Sequence, residues 1–345
     1  MTVIVKLGTS LVAGPGGRVR ARLLRRRARE IGEIVRGGEP VAVVSSGAIA
    51  LGLPHLGLER RPRAVPRLQA ASALGQARLQ GAWERAFAPE GLHAAQILLT
   101  AGDIADRAAY VNARNTLEAL FALRAVPVVN ENDATATDEI AFGDNDALAA
   151  QVAVLVRARL LVLLTEVEGV LTRAPGEPGA ELVPEGHAVA DEALGEASAL
   201  GSGGMRSKVL AARMASLAGI PTVIAAGAGE SVLGPIVAGE QRGTRFNAAD
   251  RELTAYKLWL RFGKPVSGRL VLDEGARRAV AEEGRSLLAV GVAAVEGRFE
   301  AGEAVELAGP DGAPFAKGVA SAAAADIGSR TRGLEAVHRD RLVLY

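Results

Sequence analysis

The chain has 345 residues, 49% of them hydrophobic, and 40 Lys and Arg against 39 Asp and Glu leave a net charge of +1 with no cysteine at all. That balance supplies no overall pull toward nucleic acid or an anionic membrane, and zero cysteines exclude disulfides and thiolate metal sites, as in a reducing cytoplasm. No apolar run reaches the roughly 18 to 20 residues of a membrane helix, the opening MTVIVKLG lacks a signal-peptide pattern, and the length calls for two domains.

The first expected strand is TVIV, residues 2–5, followed by Lys6, Gly8, Thr9 and Ser10. Lysine is scarce here, occurring only at Lys6, Lys208, Lys257, Lys264 and Lys317. A compact ammonium suits a phosphate or a developing charge where a forked guanidinium would not fit. RVRARLLRRRARE, residues 18–30, opens a helix that runs to about Arg36 and closes at Gly37-Gly38. Its Leu23, Leu24, Ala28, Ile31, Ile34 and Val35 recur at helical spacing, which leaves the arginines on a solvated face. VAVVSS (41–46) is the next strand, QILLT (96–100) and VPVVN (126–130) flank a helical segment at 107–124, and LLVLLT (160–165) and PTVIAA (221–226) complete the set. Continuous Val/Ile/Leu runs indicate strands covered on both faces, hence an α/β fold with a mainly parallel sheet between helix layers. From about residue 264 the strands become short and half-alternating, with a hairpin signal at Pro310-Asp311-Gly312. The expected division is 1–248, a linker at 249–263, and a small β-rich domain at 264–345.

In a parallel sheet ligands bind at the carboxyl ends of strands. Those ends carry Lys6, Gly8, Thr9 and Ser10; Ser45, Ser46 and Gly47; Asn130, Glu131, Asn132 and Asp133; and Thr165 and Glu166. Each group alone is compatible with turn chemistry, and Asp144 and Asn145 are equally compatible with capping a helix that begins near Asp146. Together they are what a polar small-molecule site needs. Five of the six asparagines fall between 112 and 145. In GSGGMRSK a helix starts near Met205, so Arg206 and Lys208 sit in its first turn, where cations are disfavoured by roughly 0.3–1 kcal/mol. Glycines, free backbone N–H groups and two cations form an anion site suited to phosphates. Neither a P-loop nor a dinucleotide fingerprint is present. A phosphate cradle with a second lysine on the first strand points to phosphoryl transfer.

In this order and spacing, VIVKLGTS, VVSSGAIALG, VPVVNENDATATDEIAFGDND, LLVLLTEVEGV and GSGGMRSK resemble the glutamate 5-kinases of the amino-acid kinase superfamily, over nearly the whole chain. SGRLVLDEGARRAV and AVHRDRLVL resemble the PUA domain that many of them append. The resemblance implies a three-layer αβα sandwich with the amino-acid kinase fold, plus a small C-terminal PUA-like pseudo-barrel. It implies ATP-dependent phosphorylation of the side-chain carboxylate of L-glutamate to L-glutamyl 5-phosphate, the first step of proline synthesis, with feedback inhibition by proline. Lys6 and Lys208 would neutralise the phosphoryl group in flight, oriented by Asp146. Ser46, Asp133 and Asn145 would bind glutamate, with Asn130 and Asp144 as neighbours. Lys6, Thr165 and Glu166 with the run Ser202, Gly203, Gly204, Met205, Arg206, Ser207 and Lys208 would hold ATP, and Mg2+ would bridge its phosphates without an all-protein cage. A carboxylate nucleophile is ionised near neutral pH and needs no general base, and the four histidines lie outside the motifs. The chain departs from the family at Glu166, where aspartate is usual, and at Arg206, where a small hydroxyl residue is common. Rival acceptors for this superfamily are acetylglutamate, aspartate and nucleoside monophosphates, and the NEND and GDND blocks argue against them. An RNA-binding role through the PUA-like part would need a basic, aromatic-lined surface, whereas residues 261–345 hold 12 Lys and Arg against 12 Asp and Glu. A homodimer or homotetramer in the cytoplasm, without membrane association, is the remaining implication.

Overall fold

Val3–Leu7 form β1, the middle strand of a seven-stranded sheet, and each of these residues is buried. The computed structural model describes all residues except 59, 136–144, 191–203, 250–252, 265 and 330. Two units emerge, Met1–Glu252 and Leu253–Tyr345.

In the first unit β1 leads into α1 (Thr9–Val12) and a small hairpin, β2 (Ala13–Gly14) with β3 (Arg18–Val19). There follow α2 (Ala21–Arg36), β4 (Val41–Ser45), α3 (Ala48–Gly52) and α4 (Val65–Phe87). Next come β5 (Ala94–Leu99), α5 (Ala101–Ala105), α6 (Arg107–Ala122) and β6 (Val126–Glu131). The unit ends with α7 (Asn145–Leu155), β7 (Leu160–Thr165), α8 (Met205–Leu217), β8 (Thr222–Ala226), α9 (Leu233–Val237) and β9 (Thr244–Phe246). The strand order is β5-β6-β4-β1-β7-β8-β9, parallel except for the antiparallel edge strand β9.

Side chains alternate across the sheet. Val3, Val5 and Leu7 join a core with Leu24, Ala28 and Ile31 of α2, Leu79 and Trp83 of α4, and Leu233 and Ile236 of α9. Each Val, Leu or Ile side chain among them contributes about 1.5–3 kcal/mol by leaving water. The alternation turns Ile4 and Lys6 to the opposite face, where α7 packs against both β1 and α8. The chain places β4, β6 and β5 on one side of β1 and β7, β8 and β9 on the other. Strand order therefore reverses at β1, the switch point beyond whose carboxyl end sheets of this kind bind ligands.

The strands expected from sequence all form, with one instructive extension. β1 continues through Lys6 to Leu7, because both of its edges are paired: Lys6 stands in register with Val44 and with Leu163. One expectation for α2 fails. Arg27 is fully buried, on the same face as Leu24, Ala28 and Ile31, where it pairs with Glu30 at 3.2 Å and donates to the Gly229 carbonyl at 2.7 Å. Helical position decides its burial, and an ion pair with backbone acceptors makes that burial tolerable. α3 and α4 cross with backbones in contact at Gly52 and Gly75, since a Cβ on either would collide with the other helix, at Ala71 and Ala48 respectively.

The second unit contains α10 (Ala255–Leu258), β10 (Val266–Leu272), α11 (Glu274–Ala281), β11 (Leu287–Leu288) and β12 (Val292–Gly297). β13 (Ala304–Ala308), β14 (Pro314–Ala320), α12 (Ala324–Gly328) and β15 (Glu335–Leu344) complete it. Its six strands are ordered β11-β15-β14-β13-β10-β12 over a core that includes Leu270, Val305, Leu307, Ile327 and Val337. The expected hairpin joins β13 to β14 around Gly312, whose φ of 76° favours glycine.

Candidate active site

Lys6 and Lys208 meet on one carboxylate. Lys6 Nζ lies 2.5 Å from Asp146 Oδ1 and Lys208 Nζ lies 3.1 Å from Asp146 Oδ2. The three come from the carboxyl half of β1 and the first turns of α7 and α8, which meet at the switch point. Lys6, Asp146 and Lys208 are 4%, 0% and 6% exposed, and ammonium groups this deep are tolerable only with a counterion. Burial alone would push the Asp146 carboxyl up. The Lys6 and Lys208 charges, with hydrogen bonds from Lys6 and Ser207, outweigh it and hold Asp146 below the usual aspartate value. Ser207 Oγ donates toward Asp146 Oδ2 at 2.8 Å and also lies 3.0 Å from the Gly204 carbonyl, which Lys208 Nζ approaches at 3.4 Å. Two cations on one anion, at the N-terminal end of α8, suit a phosphoryl group.

Beside this trio runs a chain of carboxamides. The Glu131 N–H donates to Asn145 Oδ1 at 3.3 Å, Asn145 Nδ2 to Asn130 Oδ1 at 3.0 Å, and Asn130 Nδ2 to Gln76 Oε1 at 2.9 Å. Asn145 precedes Asp146 in α7, so the amide chain and the charged trio share a helix start. Asp133 is buried and accepts from Ser72 Oγ at 2.5 Å. Burial pushes its carboxyl above the ordinary aspartate value, against the hydrogen bond from Ser72 and the charge of Arg61. Ser46 is buried at the end of β4, its N–H bonded to the Leu7 carbonyl at 3.1 Å. Gly47 follows with φ of 115°, a left-handed turn that a Cβ would strain and press against Val12. Below it Trp83 Nε1 donates to Ser45 Oγ at 2.9 Å.

The sequence-derived residues are not all brought equally close. Lys6, Asp146, Ser207, Lys208 and Gly204 form one contact set, and Asn130 with Asn145 the next. Thr165 ends β7 half-buried, with its carbonyl accepting from the Gly227 N–H at 2.7 Å, while Glu166 and Arg206 are exposed and Met205 is half-buried. Ser202, Gly203 and Asp144 lie outside the described residues. Among the described residues no three His, Asp or Glu side chains gather as a metal site, and Asp146 is already engaged by both lysines.

An amino acid kinase family model matches residues 1–226, and a PUA domain model matches 268–340. The glutamate 5-kinase of Thermus thermophilus is 44% identical, over 99% of this chain and 96% of its own length. Those of Chromobacterium violaceum, at 44%, and Pelobacter propionicus, at 40%, each match over 99% of this chain and 97% of their own length. This chain belongs to the glutamate 5-kinase family. Its fold is also that of the UMP kinase of Bacillus anthracis, with a TM-score of 0.51 at 19% identity, covering 73% of this chain and 97% of that one.

Within this family fold, α4 brings side chains that the sequence reading left aside: Ser72, Gln76 and Trp83. Ser72 and Gln76 are four apart, one above the other on a helix face, and both are buried. Two buried polar groups at that spacing are a signal, but it is readable only once the helix has been assigned.

Proposed function

We propose that this chain transfers the γ-phosphoryl group of ATP to the side-chain carboxylate of L-glutamate, giving L-glutamyl 5-phosphate and ADP, as the first step toward proline. The observation that carries this reading is the pair Lys6 and Lys208 on the two oxygens of Asp146, with the Asn145–Asn130 amides alongside. A carboxylate oxygen attacks the γ-phosphorus while the bond to the β–γ bridging oxygen breaks, and ADP leaves with that electron pair. No proton has to move, since the attacking carboxylate is ionised near neutral pH. The protein's part is positioning and charge neutralisation. Lys6 and Lys208 face the transferring phosphoryl group, and Asp146 fixes where their ammonium groups stand.

Ser46, Asp133 and Asn145 hold glutamate. Thr165, Glu166 and the start of α8 from Gly204 through Met205, Arg206 and Ser207 to Lys208 hold the nucleotide, whose magnesium lowers the charge on the phosphates. Proline shares with glutamate a cationic nitrogen beside a carboxylate, and it competes at the glutamate end of the site. The boundary at 249–263, a homodimer or homotetramer, and a cytoplasmic location belong to the same reading.

The test is a hydroxylamine trap, in which an acyl phosphate becomes a coloured hydroxamate. With MgATP, the expected result is product from L-glutamate, none from aspartate or acetylglutamate, and suppression by proline. Product from another acid alone would overturn the substrate assignment, and no product from any acid would overturn the kinase reading.

A further inference from the structure

We infer that Gln76 reads the α-carboxylate of the amino-acid substrate, through a carboxamide N–H2 held in place by the amide chain from the Glu131 N–H. This rests on the proposed glutamate reading and adds a residue and a polarity to it.

The amide chain begins at a group with no choice. A backbone N–H can only donate, so the Glu131 N–H fixes Asn145 with its oxygen inward. Asn145 must then present its NH2 to Asn130 Oδ1, and Asn130 must present its own NH2 to Gln76 Oε1. Flipping any of these amides would set two donors or two acceptors against each other. Gln76 therefore has one orientation, and its Nε2 is left buried without a hydrogen-bond partner among the described residues. Gln76 as a whole is 9% exposed, and buried donors in native folds are nearly always satisfied.

A donor-only group accepts neither an ammonium nor a metal ion, and a carboxylate is the amino-acid group that matches it. One turn earlier on α4, Ser72 holds Asp133, whose Oδ1 is also buried and unpartnered. The acceptor suits an ammonium and the donor a carboxylate, the two charges of an α-amino acid. Distance from the phosphoryl end agrees. Asn130 is the penultimate residue of β6, which is two strands from β1, or roughly 10 Å from Lys6 at about 4.8 Å per strand. The carboxylate at the amide chain is thus the one remote from the reacting end of glutamate.

The experiment compares L-glutamate with 4-aminobutyrate, which keeps the reacting carboxylate and the amine but lacks the α-carboxylate. 4-Aminobutyrate is measured as a competitive inhibitor, so its affinity is readable whether or not it is phosphorylated. Gln76→Glu keeps an acceptor for Asn130 and replaces the free donors with a negative charge. It is expected to raise KM for glutamate about 100-fold, to leave KM for ATP unchanged, and to alter the inhibition constant of 4-aminobutyrate by less than about threefold. Gln76→Met, without donors or charge, should show the same selectivity to a smaller degree. Equal losses for both ligands, or a parallel rise in KM for ATP, would mark Gln76 as structural and overturn the inference. Should both variants fail to fold, the wild type decides: affinity for 4-aminobutyrate matching that for glutamate overturns it, and an affinity at least tenfold weaker supports it. Failure of the wild type to phosphorylate glutamate would strike the proposed function instead, so the two ideas fail separately.

Discussion

Two buried ionic clusters among the described residues of the first unit are built differently. Arg27 and Glu30 are one cation and one anion, and their remaining partners are backbone groups: Arg27 donates to the Gly229 and Glu230 carbonyls, and Glu30 accepts from the N–H groups of Val232, at 2.6 Å, and Leu233. That cluster ties α2 to the start of α9. Lys6, Asp146 and Lys208 set two cations on one anion at the carboxyl end of the central strand. Both are buried, and the difference lies in charge balance and in position relative to the switch point of the sheet. A balanced pair within the layers holds helices together, whereas an unbalanced trio at the switch point is a place for an anionic ligand.

The contrast can be broken from either side. Lys208→Ala is expected to lower kcat for glutamate phosphorylation by about 10^2 to 10^3-fold while the cooperative melt persists, since Lys6 still faces Asp146. Near-normal turnover in that variant would put Lys208 outside the chemistry. Arg27→Met should do the reverse. Removing one partner of a buried pair costs about 3–5 kcal/mol, so chemical denaturation should show a large loss of stability, with kcat per folded molecule unchanged. Adding Glu30→Gln to Arg27→Met should recover part of that loss, and no recovery would mean that packing rather than charge is at stake.

The smallest expected effect concerns pH at Asp133. Its carboxyl is raised by burial, so it takes up a proton at a pH where an ordinary aspartate is still charged. Taken alone, such a group favours the folded state fully below its unfolded value, and that contribution is lost as pH rises through the folded one. For binding the sign is opposite, because the substrate ammonium needs the charged form. KM for glutamate should therefore begin to rise on acidification above the usual aspartate range, and Asp133→Asn should flatten that rise. An unchanged profile in the variant would assign the titration elsewhere.

Much of this was legible in the chain. The apolar strand runs are unambiguous because a doubly covered sheet needs them, and scarce lysine made Lys6 and Lys208 conspicuous. Other parts could not be read locally. Whether Arg27 faces water depends on which helix stripe meets the sheet, and its neighbours in sequence, mostly arginines, point the wrong way. α4 is rich in alanine, glutamine and arginine without strong punctuation, so its Ser72 and Gln76 had no face to belong to. Glu166 and Arg206 are exposed, and that exposure is set by where β7 ends and how α8 turns, which no spacing rule supplies.

The position of β1 also bears on how the protein is made. Val3 pairs with Val41 on one side and with Leu160, 157 positions further on, on the other. At translation rates of about 5–20 residues per second, roughly 8 to 30 seconds pass before β7 can cover the second edge. For that interval β1 has one row of backbone donors and acceptors open to any passing strand, the circumstance in which chains aggregate. Lys6 sits on that strand, so the residue read here as catalytic also interrupts an otherwise apolar edge while the ribosome works.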